Sequence, residues 1–194
     1  MLKILYFTSE KKKKFGVFKV VNILKSKQSN KLKSKLTNSI FDIFFFKPQI
    51  IHIHGCWRPK LFIVFLLAKI ASIKIVISPH GMIDPYSFSQ KKIKKFFAWF
   101  FYQKYIFKFS NLIVVNSKLE KKNLIKKLKL SKRIEIIKHG VNISKITKDI
   151  KKKKNLTFVF FSRIHPSKNL MELVKIWKNN NFFDDFILDV YGEI

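Results

Sequence analysis

The chain is short of acidic residues, cysteine and glycine, and it has no long hydrophobic run. Its 194 residues include 11 Asp and Glu, 5 Gly and one Cys. The single Cys56 excludes an internal disulfide and favours a reducing compartment. The apolar runs 61–68 and 96–101 are far shorter than the roughly 20 residues that span a bilayer. No secretory leader is recognisable before the first predicted strand, so we expect a cytoplasmic protein.

The 41 basic residues give a formal charge of +30, which favours nucleic acid or an anionic membrane as a partner. Coding bias accounts for much of this charge, because Lys, Ile, Phe and Asn are abundant together, as A/T-rich codons produce, and Arg is scarce. Proteins that recognise nucleic-acid sequence favour arginine forks and clustered basic faces, whereas these lysines are scattered. We therefore expect no specific nucleic-acid partner.

Apolar segments of strand length alternate with helical patterns, which predicts an α/β fold with a parallel sheet. Strands are predicted at residues 2–8, 50–54, 73–78, 112–115 and 134–137. Helices are predicted from Gly16, at 34–46 after a polar connection, at 59–71, at 90–109 and after Ser117. The aromatic face of the 90–109 helix is expected to pack in the core, although its lysines and aromatic residues also suit a membrane surface. Ser117 and Glu120 have the spacing of a capping box.

Two of these strands run into a His-Gly pair. One strand ends in His54-Gly55 and is followed by Trp57, and the next ends before His80-Gly81. Ligands of open α/β sheets bind at the carboxyl ends of the strands, so the two pairs predict one cleft. The alternative is two loops with incidental histidines.

A second, shorter α/β segment follows a change in composition. Residues 146–155 are polar and lysine-rich, which indicates a linker between a first domain at 1–145 and a second at 156–194. Strand, helix and strand are predicted at 156–161, 168–178 and 186–191. Because roughly 40 residues bury too little surface for a stable domain, we expect this second domain to be incomplete.

The loop after the first strand of this segment carries two cations. Arg163 offers a planar fork to paired phosphate oxygens and Lys168 adds a point charge, and the loop opens a helix. The positive end of the helix dipole also favours anions. The loop therefore suits a diphosphate, although two basic residues carry little weight in so basic a chain.

The order of several short motifs resembles the nucleotide-sugar-dependent glycosyltransferases of family four, which have the GT-B fold of two facing Rossmann-like domains. The motifs are His54-Gly55-Cys56-Trp57, Ser78-Pro79-His80-Gly81-Met82-Ile83-Asp84-Pro85, Asn116-Ser117-Lys118-Leu119-Glu120, Ile137-Lys138-His139-Gly140-Val141-Asn142 and Ser162-Arg163-Ile164-His165-Pro166-Ser167-Lys168-Asn169-Leu170. The match runs from about Ile50 to the last residue. It implies a Rossmann-like GT-B N-terminal domain, on the acceptor side, followed by the first β-α-β unit of a second, donor-binding Rossmann-like domain.

The resemblance implies transfer of a sugar from a nucleoside-diphosphate sugar to an acceptor hydroxyl, with retained configuration, in cell-surface polysaccharide or lipopolysaccharide synthesis. Arg163 and Lys168 would bind the diphosphate. Gly16 would let the backbone of the first loop come close to the phosphates. His80 would lie beside the transferred sugar as the catalytic residue.

The acceptor side of the cleft would be formed by His54, Gly55, Trp57 and Gly81. The resemblance implies a glycan or lipid-linked acceptor as partner, with peripheral contact with an anionic membrane. No cofactor and no metal are expected.

The sequence departs from the family pattern in several places. The first loop is rich in lysine rather than glycine, and Lys138-His139 replaces the usual Pro-Asn. The short segment before Ile50 leads us to expect one or two missing strands. The family's paired glutamates would lie beyond Ile194, so we expect the 194-residue chain alone to turn over no nucleotide sugar.

Two other functions remain open from the residues. A non-catalytic protein that binds membrane surfaces or polyanions would account for the charge and for the basic, aromatic 90–109 helix. A Rossmann oxidoreductase is disfavoured, because no G-x-G-x-x-G follows the first strand.

Overall fold

The computed structural model describes residues 1–9, 16–129, 133–140, 156–182 and 185–193. The chain forms two compact units, Met1–Val141 and Asn142–Ile194. The predicted linker at 146–155 lies outside the described residues. Within the described ranges, no helix is both long enough and apolar enough to cross a membrane.

A parallel sheet forms the centre of the first unit, which confirms the predicted fold class. In the described part of the chain it has six strands: β1 (Leu2–Thr8), β2 (Leu32–Thr37), β3 (Ile50–His54), β4 (Lys74–Ser78), β5 (Leu112–Val115) and β6 (Ile134–Ile136). Their spatial order is β2-β1-β3-β4-β5-β6, and every pairing is parallel. All their carboxyl ends therefore meet at one edge of the sheet.

Helices connect the strands and cover the sheet. They are α1 (Gly16–Ser26), α2 (Asp42–Phe46), α3 (Pro59–Ile70), α4 (Pro85–Ser89), α5 (Lys92–Ala98), a π-helical turn (Trp99–Gln103), α6 (Lys104–Phe109) and α7 (Lys118–Leu128). The core between sheet and helices contains Leu5, Phe7, Ile51, Ile53, Ile75 and Ile77 from the strands and Leu61, Val64, Ile106, Phe107 and Leu124 from the helices. Burial of each such side chain contributes about 1.5–3 kcal/mol, and this core fixes the strand ends that carry the site.

The prediction of a polar connection and a helix at 34–46 was wrong, because this segment contains β2 and only the short α2. One sheet strand, β2, is present between β1 and β3 along the chain, and the absence of one or two further strands relative to the family stays a prediction. Residues 32–37 alternate in exposure, with Leu32 and Leu36 turned toward the protein and Lys33 and Lys35 exposed. This is the pattern of an edge strand protected by lysines, and pairing with β1 satisfies its backbone groups.

The 90–109 helix differs from the prediction in two ways. It begins at Lys92 and contains a π-helical turn, and α4 occupies part of the predicted loop before it. Only part of its aromatic face packs in the core, through Trp99, Tyr102 and Phe107. The expectation that this face is buried was wrong for Phe96, Phe97, Phe100 and Phe101, which are 54–64% exposed.

The second unit is a small strand–helix–strand structure, as predicted. Strands β7 (Thr157–Phe161) and β8 (Ile187–Tyr191) pair in parallel, and a 3₁₀ turn (Pro166–Lys168) leads into α8 (Leu170–Asn179). Trp177 is buried against the rings of Phe158 and Phe182.

Candidate active site

The two His-Gly pairs lie side by side where β3 and β4 end. His54 is paired with Ser78 in the sheet, and the Gly55 N–H donates a hydrogen bond to the Ser78 carbonyl oxygen at 2.9 Å. Both turns use the left-handed region: φ is +100° at Gly55 and +74° at Gly81, and His80 also adopts a positive φ of 54°. Glycine adopts this backbone readily, but at His80 it persists only where surrounding contacts hold it, and such non-glycine positions cluster at functional sites. The structure thus brings the two predicted pairs together.

Four histidines lie in contact at this edge. His54 Nδ1 is 2.9 Å from His80 Nε2, and His80 Nδ1 is 3.3 Å from His139 Nε2. We call His54, His80 and His139 the histidine row. His52 stacks on His54 with 4.0 Å between the ring centroids, and its Nε2 is 2.8 Å from Ser78 Oγ.

His52 and His139 were not predicted as site residues, although two signals pointed to them. Residues two apart on a strand share one face, so His52 accompanies His54 on β3. His139-Gly140 follows β6 as the other His-Gly pairs follow β3 and β4. Because parallel strands end at one edge, a third pair after β6 belongs to the same group of loops.

Burial keeps the clustered histidines uncharged. Desolvation, with a smaller repulsion from neighbouring histidines, lowers the pKa of His80 to about 4 and that of His52 to about 3. The same causes hold the pKa of His54 well below its usual value, and desolvation lowers the pKa of His139. Each imidazole of the row therefore carries one N–H at neutral pH.

A buried glutamate holds the His80-Gly81 turn. Glu120 Oε1 accepts a hydrogen bond from the Gly81 N–H at 2.6 Å, and Oε2 accepts one from the Asn116 N–H at 2.9 Å. The Glu120 N–H donates to Ser117 Oγ, so the hydroxyl half of the predicted capping box is confirmed. The carboxylate half was wrong, because both carboxylate oxygens bind other backbone N–H groups.

Trp57 joins the two loops to the long helix. Its indole Nε1–H donates to the Met82 carbonyl oxygen at 3.0 Å, and its backbone N–H donates to Gln103 Oε1 at 2.8 Å. The Tyr102 hydroxyl donates to the Trp57 carbonyl oxygen at 2.9 Å. Gln103 and Tyr102 lie in the π-helical turn, a device that recurs at functional sites. Trp57 therefore acts here by holding the loops in place.

A polar cavity of about 390 Å³ lies at the carboxyl ends of β1 and β2, beside α1. It is lined by Thr8, Asn22, Lys25, Leu36, Thr37 and Asn38, with Phe18. Gly16 is the first residue of α1, and among the described residues a Cβ there would meet no atom within 4 Å. Packing against the described residues therefore does not require this glycine, and its role toward phosphates stays a prediction. The loop at 10–15 lies outside the described residues.

Arg163 and Lys168 are exposed in the second unit, close to where β7 ends. Neither side chain has a hydrogen-bond or ion-pair partner within the described residues. Between them, the Ser167 N–H donates to His165 Nδ1 at 3.2 Å, which shapes the turn before α8. A Cβ on Gly192 would come within 1.9 Å of the Ser162 carbonyl oxygen, so a glycine is needed for the backbone to approach this loop. The placement of Arg163 and Lys168 opposite His80-Gly81 stays a prediction.

The family profile described as Glycosyltransferase Family 4 matches residues 8–145, which contain strands β2 to β6 and the histidine row. The chain belongs to glycosyltransferase family 4. Searching the curated proteins gave no match to this glycosyltransferase.

Solved structures of one GT-B glycosyltransferase share the fold. HepE of Anabaena in complex with UDP-glucose is similar with a TM-score of 0.56 and 14% identity, over 98% of this chain and 69% of HepE. HepE with UDP and glucose gives a TM-score of 0.53 and 12% identity, over 98% of this chain and 70% of HepE. At these identities the similarity establishes the fold alone.

In the ranges that the structure describes, no group of three or more His, Cys, Asp or Glu side chains is arranged to hold a metal ion. The rings of the histidine row are instead joined to one another by hydrogen bonds. Cys56 is buried, and desolvation raises the pKa of its thiol well above the usual value, so this thiol is protonated. The family's independence of metals and cofactors stays a prediction for this chain.

Proposed function

We propose that this glycosyltransferase moves a sugar from a nucleoside-diphosphate sugar to a hydroxyl of a glycan or lipid-linked acceptor, with retention of configuration. The observation that carries the proposal is the His80-Gly81 turn. It is a left-handed turn held by a buried carboxylate, at the carboxyl edge of a parallel sheet, in a chain of glycosyltransferase family 4. The pathway that fits such an acceptor is cell-surface polysaccharide or lipopolysaccharide synthesis.

The donor is proposed to be bound through its diphosphate by Arg163 and Lys168. Both cations are free of protein partners in the described part of the chain, so no ion pair has to be broken before they bind phosphate. Departure of the nucleoside diphosphate places additional negative charge on its oxygens, and fixed cations stabilise that charge most in the transition state. UDP-glucose bound to HepE favours a UDP-sugar as the donor.

The first unit is proposed to be the acceptor-side domain. His80 would orient polar groups beside the transferred sugar. His54, Gly55 and Gly81 shape that edge, and Trp57 fixes it against the helix. Positioning of this kind supplies much of the rate of a transfer reaction.

The experiment is donor binding followed by product analysis. Calorimetry with UDP-glucose, UDP and glucose should show saturable binding of the two uridine compounds and none of glucose alone. Any glycoside formed from an α-linked donor should itself be α-linked by NMR, because the configuration is retained. Absence of nucleotide binding, or a β-linked product, would contradict the proposal.

A membrane-surface function is favoured by the aromatic–lysine surface. We define this surface by its exposed apolar residues Ile93, Phe96, Phe97, Phe100 and Phe101 and its exposed lysines Lys91, Lys92, Lys94 and Lys108. No acidic residue occurs from Pro85 to Leu119. Apolar rings flanked by lysines suit the interface of an anionic bilayer, and we infer that the surface contacts such a membrane at its periphery. This contact would bring the enzyme to a lipid-linked acceptor, and it is also the basis of the non-catalytic alternative.

A further inference from the structure

The histidine row ends at an exposed ring. His54 is buried, His80 is half-buried and His139 is exposed, so the row leads from the interior to the surface. Both ring nitrogens of His80 are engaged, by His54 on one side and by His139 on the other. In the described part of the chain, His139 Nδ1 has no hydrogen-bond partner. The outermost polar atom of the row therefore belongs to His139, not to His80.

The buried end of the row determines the direction of its hydrogen bonds. Because each neutral ring has one N–H, the two bonds of the row must point the same way. If they point outward, His54 Nδ1–H donates to His80 and His80 Nδ1–H donates to His139, and His54 Nε2 is an unprotonated acceptor. If they point inward, His54 Nε2 carries a proton. This atom is buried without a partner.

Of the two states of His54 Nε2, the unpartnered N–H donor of the inward direction is less favourable than the unpartnered acceptor of the outward direction. Buried N–H groups without a partner are rarer in proteins than under-satisfied acceptors. The outward direction is therefore favoured. It makes His139 Nε2 an acceptor from His80 and places the His139 proton on Nδ1, at the exposed end.

We propose that the histidine row fixes His139 as an outward N–H donor that binds an oxygen of the substrate, and that His54 and His80 are positioning residues for it. The oxygen belongs to a sugar hydroxyl or to a phosphate group. The inference rests on the proposed function for the identity of this substrate. It assigns the contact that the resemblance gives to His80 to the neighbouring His139.

The tautomers of the row test the proposal without any ligand. Long-range ¹⁵N–¹H spectra of the labelled full chain at pH 7 should show His54, His80 and His139 all protonated at Nδ1, the form that free histidine disfavours. His165 is an internal control, since its Nδ1 accepts the Ser167 N–H and its proton must be on Nε2. Protonation of His80 or His139 at Nε2 in the unmodified chain would overturn the proposal.

Substitution at the buried end tests transmission along the row. His54→Phe keeps an aromatic ring but removes the donor to His80, so His80 and His139 should both change to the Nε2–H form. His52→Phe is the matched control, because His52 stacks on His54 but is bonded to Ser78 and not to the row. Unchanged tautomers in His54→Phe would contradict the positioning role.

Ligand titration tests the contact itself. Saturating UDP-glucose should shift the His139 Nδ1 resonance. The same shift with UDP assigns the contact to a phosphate oxygen, whereas a shift with UDP-glucose and none with UDP assigns it to a sugar hydroxyl. Glucose alone is the negative control. UDP-glucose binding that leaves His139 unchanged would overturn the contact while the proposed function stands. Binding of none of the three would contradict the proposed function and the contact together, whereas the tautomers would still report on the row.

Discussion

Glu120 Oε1 accepts a hydrogen bond from the Gly81 backbone N–H at 2.6 Å, across a buried contact between the first turn of α7 and the loop after β4. Glu120 is only 4% exposed. Its carboxylate accepts two backbone N–H groups, and hydrogen bonds to a charged acceptor are stronger than neutral ones. This carboxylate therefore holds the left-handed turn that presents His80.

Glu120→Gln should destabilise the protein by about 1–3 kcal/mol, because one amide NH₂ would face a backbone N–H where an oxygen now accepts. The measurement is the free energy of unfolding in urea. Glu135→Gln on β6 is the control, since Glu135 is exposed and its loss should change stability by less than about 0.5 kcal/mol. Equal effects of the two substitutions would contradict the role of Glu120.

Gln103→Leu should destabilise the first unit by about 1–3 kcal/mol, because it nearly keeps the buried volume but removes the acceptor of the Trp57 N–H. Urea unfolding followed by near-UV circular dichroism measures the change. Gln90→Leu, at an exposed position before α5, is the control. An unchanged stability of Gln103→Leu would show that the Gln103 side chain does not hold Trp57.

Mild acid should destabilise the fold through the clustered histidines. Their pKa values are lowered on folding, to about 3 at His52 and about 4 at His80, from about 6.5 in the unfolded chain. Between these values the unfolded chain binds more protons, so stability is fully present above about pH 6.5 and falls as the pH is lowered. His52 and His80 each contribute up to about 1.4 kcal/mol per pH unit.

Urea unfolding between pH 6.5 and pH 5 isolates this effect, because most carboxylates stay ionised there. The double variant His52→Phe/His54→Phe should show a shallower dependence on pH than the unmodified chain. The same slope in both proteins would exclude the histidine cluster as its cause.

The parallel sheet and the rim position of His54 and His80 could be predicted because their signals are local. An apolar run that ends in His-Gly is visible in the sequence, and parallel strands end at one edge. β2 was missed because its lysine-rich sequence is stabilised by pairing with β1, which no local pattern reveals. Glu120 was assigned to the wrong partner for the same reason, since Gly81 lies in a different loop.

The aromatic–lysine surface should bind anionic vesicles. Flotation with vesicles of phosphatidylglycerol and phosphatidylcholine should recover the protein, whereas vesicles of phosphatidylcholine alone should not. The double variant Phe97→Ser/Phe101→Ser should reduce recovery at least several-fold, because two exposed rings are lost. Phe45→Ser is the control, since Phe45 is 82% exposed on α2, outside this surface. An equal loss of vesicle recovery in Phe45→Ser would contradict a membrane contact. Recovery that requires an added protein partner would contradict it as well.

The binding of the donor diphosphate by Arg163 and Lys168 is the central claim of the proposed function, and a UDP-glucose binding measurement tests it most directly. Titration of the full chain with UDP-glucose should give saturable binding. Arg163→Ala and Lys168→Ala should each weaken it about tenfold or more, because each removes a cation from the diphosphate. Lys178→Ala, near the other end of α8, is the matched control and should leave the affinity unchanged. UDP-glucose binding that neither Arg163→Ala nor Lys168→Ala weakens would contradict the account.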